Sequence, residues 1–195
     1  MNYSAIKNCD IANGPGVRVS LFVSGCTLHC KGCFNNEAWD FDAGKPFTDE
    51  VVRKIIEMLR PSYIAGLSIL GGEPLDFRNR CSVLKLLWAV RSEYGDTKSI
   101  WVFTGYTYYQ AEWVSSKTIN NIFAHIDVLV DGPFVEEKKN LSLNFRGSEN
   151  QRLIDMKKTL NSRNVVMWEE PADPMKEKRY IHLYKNVEED KNAIH

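Results

Sequence analysis

The sequence has no apolar run approaching the roughly 20 residues that a bilayer span needs. Its opening, M-N-Y-S-A-I-K-N-C-D, lacks the apolar centre of a secretory signal, so the chain reads as cytoplasmic. Neither sign of charge is in excess, with 25 lysines and arginines against 25 aspartates and glutamates. That balance gives no electrostatic argument for a nucleic-acid partner or a membrane surface. Internal repeats and low-complexity tracts are absent too. Cysteines are few and odd in number, five in 195 residues, which excludes a disulfide-framed secreted scaffold. What remains is a chain 44% apolar, long enough for one domain, or one domain with an appendage, around a sizeable core.

Strand-like and helix-like segments alternate along it. Val17 to Val23 is rich in β-branched residues and ends at Ser24-Gly25, a turn signal. Thr48 offers a helix N-cap with Asp49 and Glu50 in the first turn, Val51 to Leu59 repeats at helical spacing, and Pro61 stops it. Ile64 to Leu70 reads as a buried strand ending in Gly71-Gly72, and Arg80 to Tyr94 as a helix burying Val83, Leu84, Leu87, Trp88 and Val90. Ser99 to Thr104 and Ile126 to Val130 read as strands, with a weaker helix within Tyr109 to Phe123 between them. Asn150 to Leu160 looks helical and Val165 to Trp168 strand-like, while Tyr180 to Tyr184 suits an edge strand in a charged tail from about Pro171. This rhythm implies an α/β fold with a parallel sheet covered by helices. Ligands in such sheets bind beyond the C-terminal strand ends, where the glycine-rich punctuation falls: the cysteine loop, G-G-E-P, T-G-Y and D-G-P-F.

Three of the cysteines, Cys26, Cys30 and Cys33, lie within eight residues, in C-T-L-H-C-K-G-C. Thiolates suit iron–sulfur clusters and zinc. An electron-transfer cluster usually takes four protein thiolates, so a run of three leaves one iron open to a ligand. Zinc competes, since His29 lies inside the run, although its adjacency to Cys30 strains joint ligation of one ion. Cys9 or Cys81 as a fourth thiolate, or simply buried free cysteines, are further readings of the spacing.

With this run after one strand and Gly71-Gly72-Glu73-Pro74 after the next, the chain resembles the radical S-adenosylmethionine superfamily. N-G-P-G-V-R at Asn13 to Arg18 is similar to the entry motif of its glycyl-radical-enzyme activases. V-S-G-C-T-L-H-C-K-G-C-F-N, W-V-F-T-G-Y, V-L-V-D-G-P-F and F-R-G-S-x-N-Q together resemble the activating proteins of anaerobic (class III) ribonucleotide reductases. Many superfamily members carry an aromatic residue just before the third cysteine; here Gly32 holds that position and Phe34 follows Cys33. The likeness runs from Met1 to about Leu160. It implies an activase domain over 1–160, and leaves 161–195 as a C-terminal strand and charged extension, part of that domain or an appendage.

The resemblance implies a partial (β/α) barrel of radical S-adenosylmethionine type. Cys26, Cys30 and Cys33 would hold a [4Fe–4S] cluster. Its open iron would take the amino and carboxylate groups of S-adenosylmethionine, and one electron would cleave the sulfonium to a 5′-deoxyadenosyl radical. That radical would draw a hydrogen atom from a glycine Cα of the reductase large subunit. Reduced flavodoxin or ferredoxin would be the electron donor. Gly72 and Glu73 would meet the methionine ammonium, and Gly32, Cys33 and Phe34 would border the adenine. No acid–base dyad is needed beyond the cluster. Asn13 to Gly16 is either a tight turn or part of the surface meeting the partner. Arg18 either pairs with a carboxylate there or lies in solvent. Competing functions are activation of a pyruvate formate-lyase type enzyme, a small-molecule radical enzyme such as a carboxy-deazaguanine synthase, and, in a different class, a zinc-binding structural or interaction module.

Overall fold

The computed structural model describes residues 1–113 and 116–170. The suggested strand at Tyr180 to Tyr184 lies outside the described residues, as does most of the extension from 161. Seven strands form one open sheet: β1 (Asn2–Asp10), β2 (Val17–Val23), β3 (Lys45–Pro46), β4 (Ile64–Gly71), β5 (Ser99–Phe103), β6 (Val128–Asp131) and β7 (Arg152–Asp155), in the order β3-β1-β2-β4-β5-β6-β7. The helices are α1 (Asp49–Leu59), α2 (Arg80–Tyr94), α3 (Tyr108–Trp113), α4 (Lys117–Ala124) and α5 (Met156–Ser162).

The sheet is mixed, not purely parallel. β2, β4, β5 and β6 run parallel, but β1 and β7 pair antiparallel on the two flanks, and β3 on β1. Its order does not return on itself, so the sheet is not closed. Alternation along the strands divides the residues between two faces. One set, including Leu67, Ile69, Ile100, Val102 and Leu129, joins α1, α2 and α4 in the main core. The other face gathers Trp101, Val128, Val130 and Leu153, with Phe103, Phe145 and Trp168 against them.

Several elements differ from the sequence reading. Arg152–Asp155 extends as β7, pairing with Val128–Asp131, before the chain turns helical at Met156, so Asn150 to Leu160 is not one helix. The weak helix divides into α3 and α4, the second capped by Ser116 accepting from the Ile119 N–H. Val165 to Trp168 makes only an isolated bridge through Met167 to Ile154. On α2 the buried face includes Leu86, while Trp88 is 52% exposed and meets the His125 ring edge-on.

Arg18 also departs from both readings. It is fully buried on the open face, neither solvated nor turned to a partner carboxylate. Nε donates to Ser68 Oγ at 2.7 Å, Nη1 to Ser99 Oγ at 2.9 Å, and Nη2 to the Leu67 and Ser99 carbonyls at 2.8 and 3.0 Å. The guanidinium lies over the Trp101 ring, and the Asn13–Pro15 loop closes on it through the Pro15 carbonyl. No helix among the described residues is long and apolar enough to cross a membrane.

Candidate functional site

The loop leaving β2 is tied to the turn leaving β4. Gly72 N–H donates to the Val23 carbonyl at 2.7 Å and Glu73 N–H to the Gly25 carbonyl at 2.8 Å. A side chain at Gly72 would collide with the Gly25 carbonyl, so this close approach requires glycine. Asn79, fully buried, clamps the same junction by donating to the carbonyls of Ser24 and Glu73 at 3.0 and 2.9 Å. The cysteine loop is pinned further by Gly25 and Cys26 N–H groups bonded to the Ala38 and Trp39 carbonyls.

These ties bring all three thiols of the run to one pocket, of about 130 Å³, which Gly71, Gly72 and Glu73 also line. Thr104, Gly105 and Gly132 complete the rim from the ends of β5 and β6. Cys26, Cys30 and Cys33 are each partly buried and free, while Cys9 and Cys81 are exposed and do not line this pocket. Burial pushes the Cys26 thiol above its usual value, opposed by hydrogen bonds from the Leu28 and His29 backbone. His29 adopts a left-handed backbone and packs its ring on Trp39, centroids 4.6 Å apart.

Glu73 is 1% exposed and accepts three hydrogen bonds. Thr104 Oγ1 and the Leu75 N–H donate to Oε1 at 2.7 and 2.9 Å, and the Gly105 N–H donates to Oε2 at 2.8 Å. Burial raises its carboxyl to about 7, against those three hydrogen bonds. The carboxylate therefore locks G-G-E-P to T-G-Y, leaving the glycine backbone facing the pocket. Phe34 lines the pocket with its ring 82% exposed. Gly32 does not line it: its backbone, at φ 70°, lies against the Glu136 side chain, and Lys31 bridges to Glu136 and Glu137 at 3.2 and 3.4 Å.

Sequence reading assigned no role to Leu28, Leu70, Phe103, Phe134 and Gln151, which also line the pocket. Gln151 knits the rim: its Oε1 accepts from Gly147 and Ser148, and its Nε2 donates to the Gly132 carbonyl at 3.1 Å. F-R-G-S-x-N-Q was the available signal. Asp131, the start of D-G-P-F, is buried and paired with Arg152, so it braces the rim from below.

The donor set fits an iron–sulfur cubane. Its thiolates bind separate irons, so they need a shared pocket but no common point. Among the described residues, no three histidine, cysteine, aspartate or glutamate side chains converge as a single ion would require. A soft-thiolate triplet at the C-terminal rim of parallel strands, facing a glycine backbone, defines the radical iron–sulfur class. In accord with this, the family model described as a 4Fe-4S single cluster domain matches residues 12–154.

The chain is 44% identical over 153 residues to the anaerobic ribonucleoside-triphosphate reductase-activating protein of Vibrio cholerae, covering 77% of this chain and 96% of that one. It is 42% identical to the protein of the same description from Escherichia coli strain K12, with the same coverage. It is 39% identical to that of Enterobacteria phage T4, covering 78% of this chain and 93% of the relative. The chain belongs to the family of anaerobic ribonucleoside-triphosphate reductase-activating proteins, within the radical S-adenosylmethionine superfamily.

Proposed function

We propose that this enzyme activates the large subunit of anaerobic ribonucleotide reductase by generating a glycyl radical on it. The observation that carries the reading is the meeting of three free thiols and the G-G-E-P backbone in one pocket, in a chain that spans 96% of the length of its activating relatives. Its cofactors are a [4Fe–4S] cluster and S-adenosylmethionine. When bound, they supply one-electron cleavage of the sulfonium C–S bond and hence a carbon radical able to take a hydrogen atom from a glycine Cα.

Cys26, Cys30 and Cys33 would hold the cluster, one thiolate to each of three irons. Gly72, held 2.7 Å from the Val23 carbonyl, offers its backbone to the methionine ammonium. Glu73 acts on that ammonium through charge and by fixing the turn, because its oxygens are already engaged by Thr104, Leu75 and Gly105. Cys33 and the exposed Phe34 would border the adenine, with Gly32 outside the pocket lining, and Leu70, Phe103 and Phe134 keep water from the reacting atoms.

The open sheet is the wall of a partial (β/α) barrel, and 1–160 is the activase domain with 161–195 an extension of it. Reduced flavodoxin or ferredoxin supplies the electron. The likeness to reductase-activating proteins supports a protein partner, and five free thiols suit the reducing cytoplasm.

The test is anaerobic reconstitution with the reductase large subunit, S-adenosylmethionine and a one-electron reductant. The expected result is an organic radical on a reductase glycine, one 5′-deoxyadenosine formed with it, and neither product when any component is omitted. Cleavage of S-adenosylmethionine that never yields a radical on the reductase would overturn the partner assignment.

A further inference from the structure

A separate cavity of about 420 Å³ lies among the loops leaving β2, β4 and β5 and the helices α2, α3 and α4. It shares no lining residue with the thiol pocket. Its lining is nonetheless next to that pocket in the chain: Thr27 follows Cys26, Leu75 and Asp76 follow G-G-E-P, and Tyr106 follows Gly105. An occupant would touch the three loops that form the site without entering it. The surface of the cavity is mostly apolar, through Leu75, Phe77, Ala111 and Ile119.

Two opposite charges line this apolar space, and neither is compensated. Asp76 is 4% exposed. Its Oδ1 accepts from the Arg78 N–H at 2.9 Å, but Oδ2 is reached only by the Thr27 hydroxyl, at a long 3.4 Å. Among the described residues no cation pairs with this carboxylate, whereas the buried Asp131 holds Arg152. Arg80 is only partly exposed, and among the described residues its guanidinium meets no acceptor, Asp76 included. Gln110 spends its Oε1 on Thr107, which leaves its amide N–H groups as further donors in the same lining. A buried carboxylate without a countercharge is costly, and a ligand that brings a cation relieves the cost.

We propose that this cavity binds an apolar α-amino acid as its zwitterion, with the ammonium on Asp76 Oδ2, the carboxylate on Arg80 and the side chain against Phe77, Ala111 and Ile119. A ligand of one charge would leave the other ion uncompensated. A ligand with both charges and no apolar body would forfeit the rest of the lining. Methionine, the amino acid that cleavage of the sulfonium leaves, has all three features. That identity rests on the functional reading above, whereas the site rests on Asp76, Arg80 and their apolar surroundings.

The experiment uses the full chain, anaerobically reconstituted and saturated with S-adenosylmethionine without a reductant, so that the thiol pocket is filled and nothing turns over. Equilibrium dialysis measures L-methionine, its decarboxylated amine and its deaminated acid. L-Methionine is expected to bind the wild type with a Kd of about 1 mM or below. Each analogue should bind about tenfold or more weakly, the loss of one charged hydrogen bond. Arg80→Met and Asp76→Asn should each weaken L-methionine by a similar factor. Arg80→Met should leave the amine unmoved, and Asp76→Asn the acid, a crossed pattern that a general disturbance of the fold does not produce. No binding of L-methionine to the wild type overturns the site. So does a loss in Arg80→Met with none in Asp76→Asn, which describes a plain anion site. A reductase that never acquires its radical, with these affinities as expected, removes the functional reading and leaves the site standing.

Discussion

Two buried ions occupy the two ends of the same parallel strands. At the floor, Arg18 is fully buried with its donors spread over Ser68, Ser99 and the Leu67 and Pro15 carbonyls, and burial pulls its guanidinium down to about 10, still charged at neutral pH. At the rim, Glu73 is equally buried with three donors on its carboxylate, and burial pushes it up to about 7. Both are satisfied by neutral hydrogen-bond partners, as buried polar groups must be. Their neighbours differ. Arg18 meets Trp101 and a closing loop, whereas Glu73 lines one pocket with three thiols. The floor ion holds strands together, and the rim ion holds together loops that carry chemistry.

The contrast breaks most visibly at the thiols. Cys26→Ala, Cys30→Ala or Cys33→Ala should each reduce bound iron and S-adenosylmethionine cleavage to background. Thermal unfolding of the metal-free protein should barely move, because each side chain is only partly buried. Iron analysis and a 5′-deoxyadenosine assay check this, and a variant retaining full cleavage would remove that ligand from the account.

At the floor, Arg18→Met should do the opposite. It leaves carbonyl and hydroxyl acceptors buried without a donor, for a loss of roughly 2–4 kcal/mol measured by denaturant unfolding. Whatever fraction remains folded should keep its affinity for S-adenosylmethionine.

Glu73→Gln sharpens the comparison through pH. The folded metal-free protein holds the Glu73 proton up to about pH 7, while the unfolded chain releases it near the ordinary value of 4.5. Between those values the folded state binds more protons, so this group makes stability fall as pH rises through the window and level off above it. In Glu73→Gln that part of the slope should vanish, as unfolding curves across the window would reveal. The substitution should also weaken S-adenosylmethionine binding, because the Thr104 and Gly105 loop loses its carboxylate.

The smallest effect belongs to Lys31, whose bridges to Glu136 and Glu137 lie exposed beside the cluster loop. Exposed pairs contribute little. Lys31→Gln should leave unfolding and cleavage within error of wild type, and a large loss would promote that contact from ornament to latch.

Much of this was readable in the chain. The bounds of β2 and α2 follow from dense β-branched residues and from helical spacing, and the structure keeps both. The thiol triplet was visible because its chemistry is local. β1 was not, since most of its residues are at least partly exposed and show no alternation for a pattern to reveal. β7 was read as helix because its four residues run directly into α5. Leu70, Phe103, Phe134 and Gln151 were illegible as site residues for a different reason. They come from separate strands and loops, read locally as core or turn, and become a pocket only when the sheet order brings them together. Arg18 was misjudged because an arginine reads as surface unless the hydroxyls that satisfy it, on β4 and β5, are known to lie alongside.

The central claim is that three side chains hold the cluster and the fourth corner belongs to the substrate. Electron paramagnetic resonance of the reduced, anaerobically reconstituted protein tests it most directly, before and after S-adenosylmethionine is added. The account predicts a four-iron signal that shifts on addition, because the ligand enters the coordination of one iron. A signal indifferent to S-adenosylmethionine, or a protein carrying one zinc and no sulfide, would contradict it.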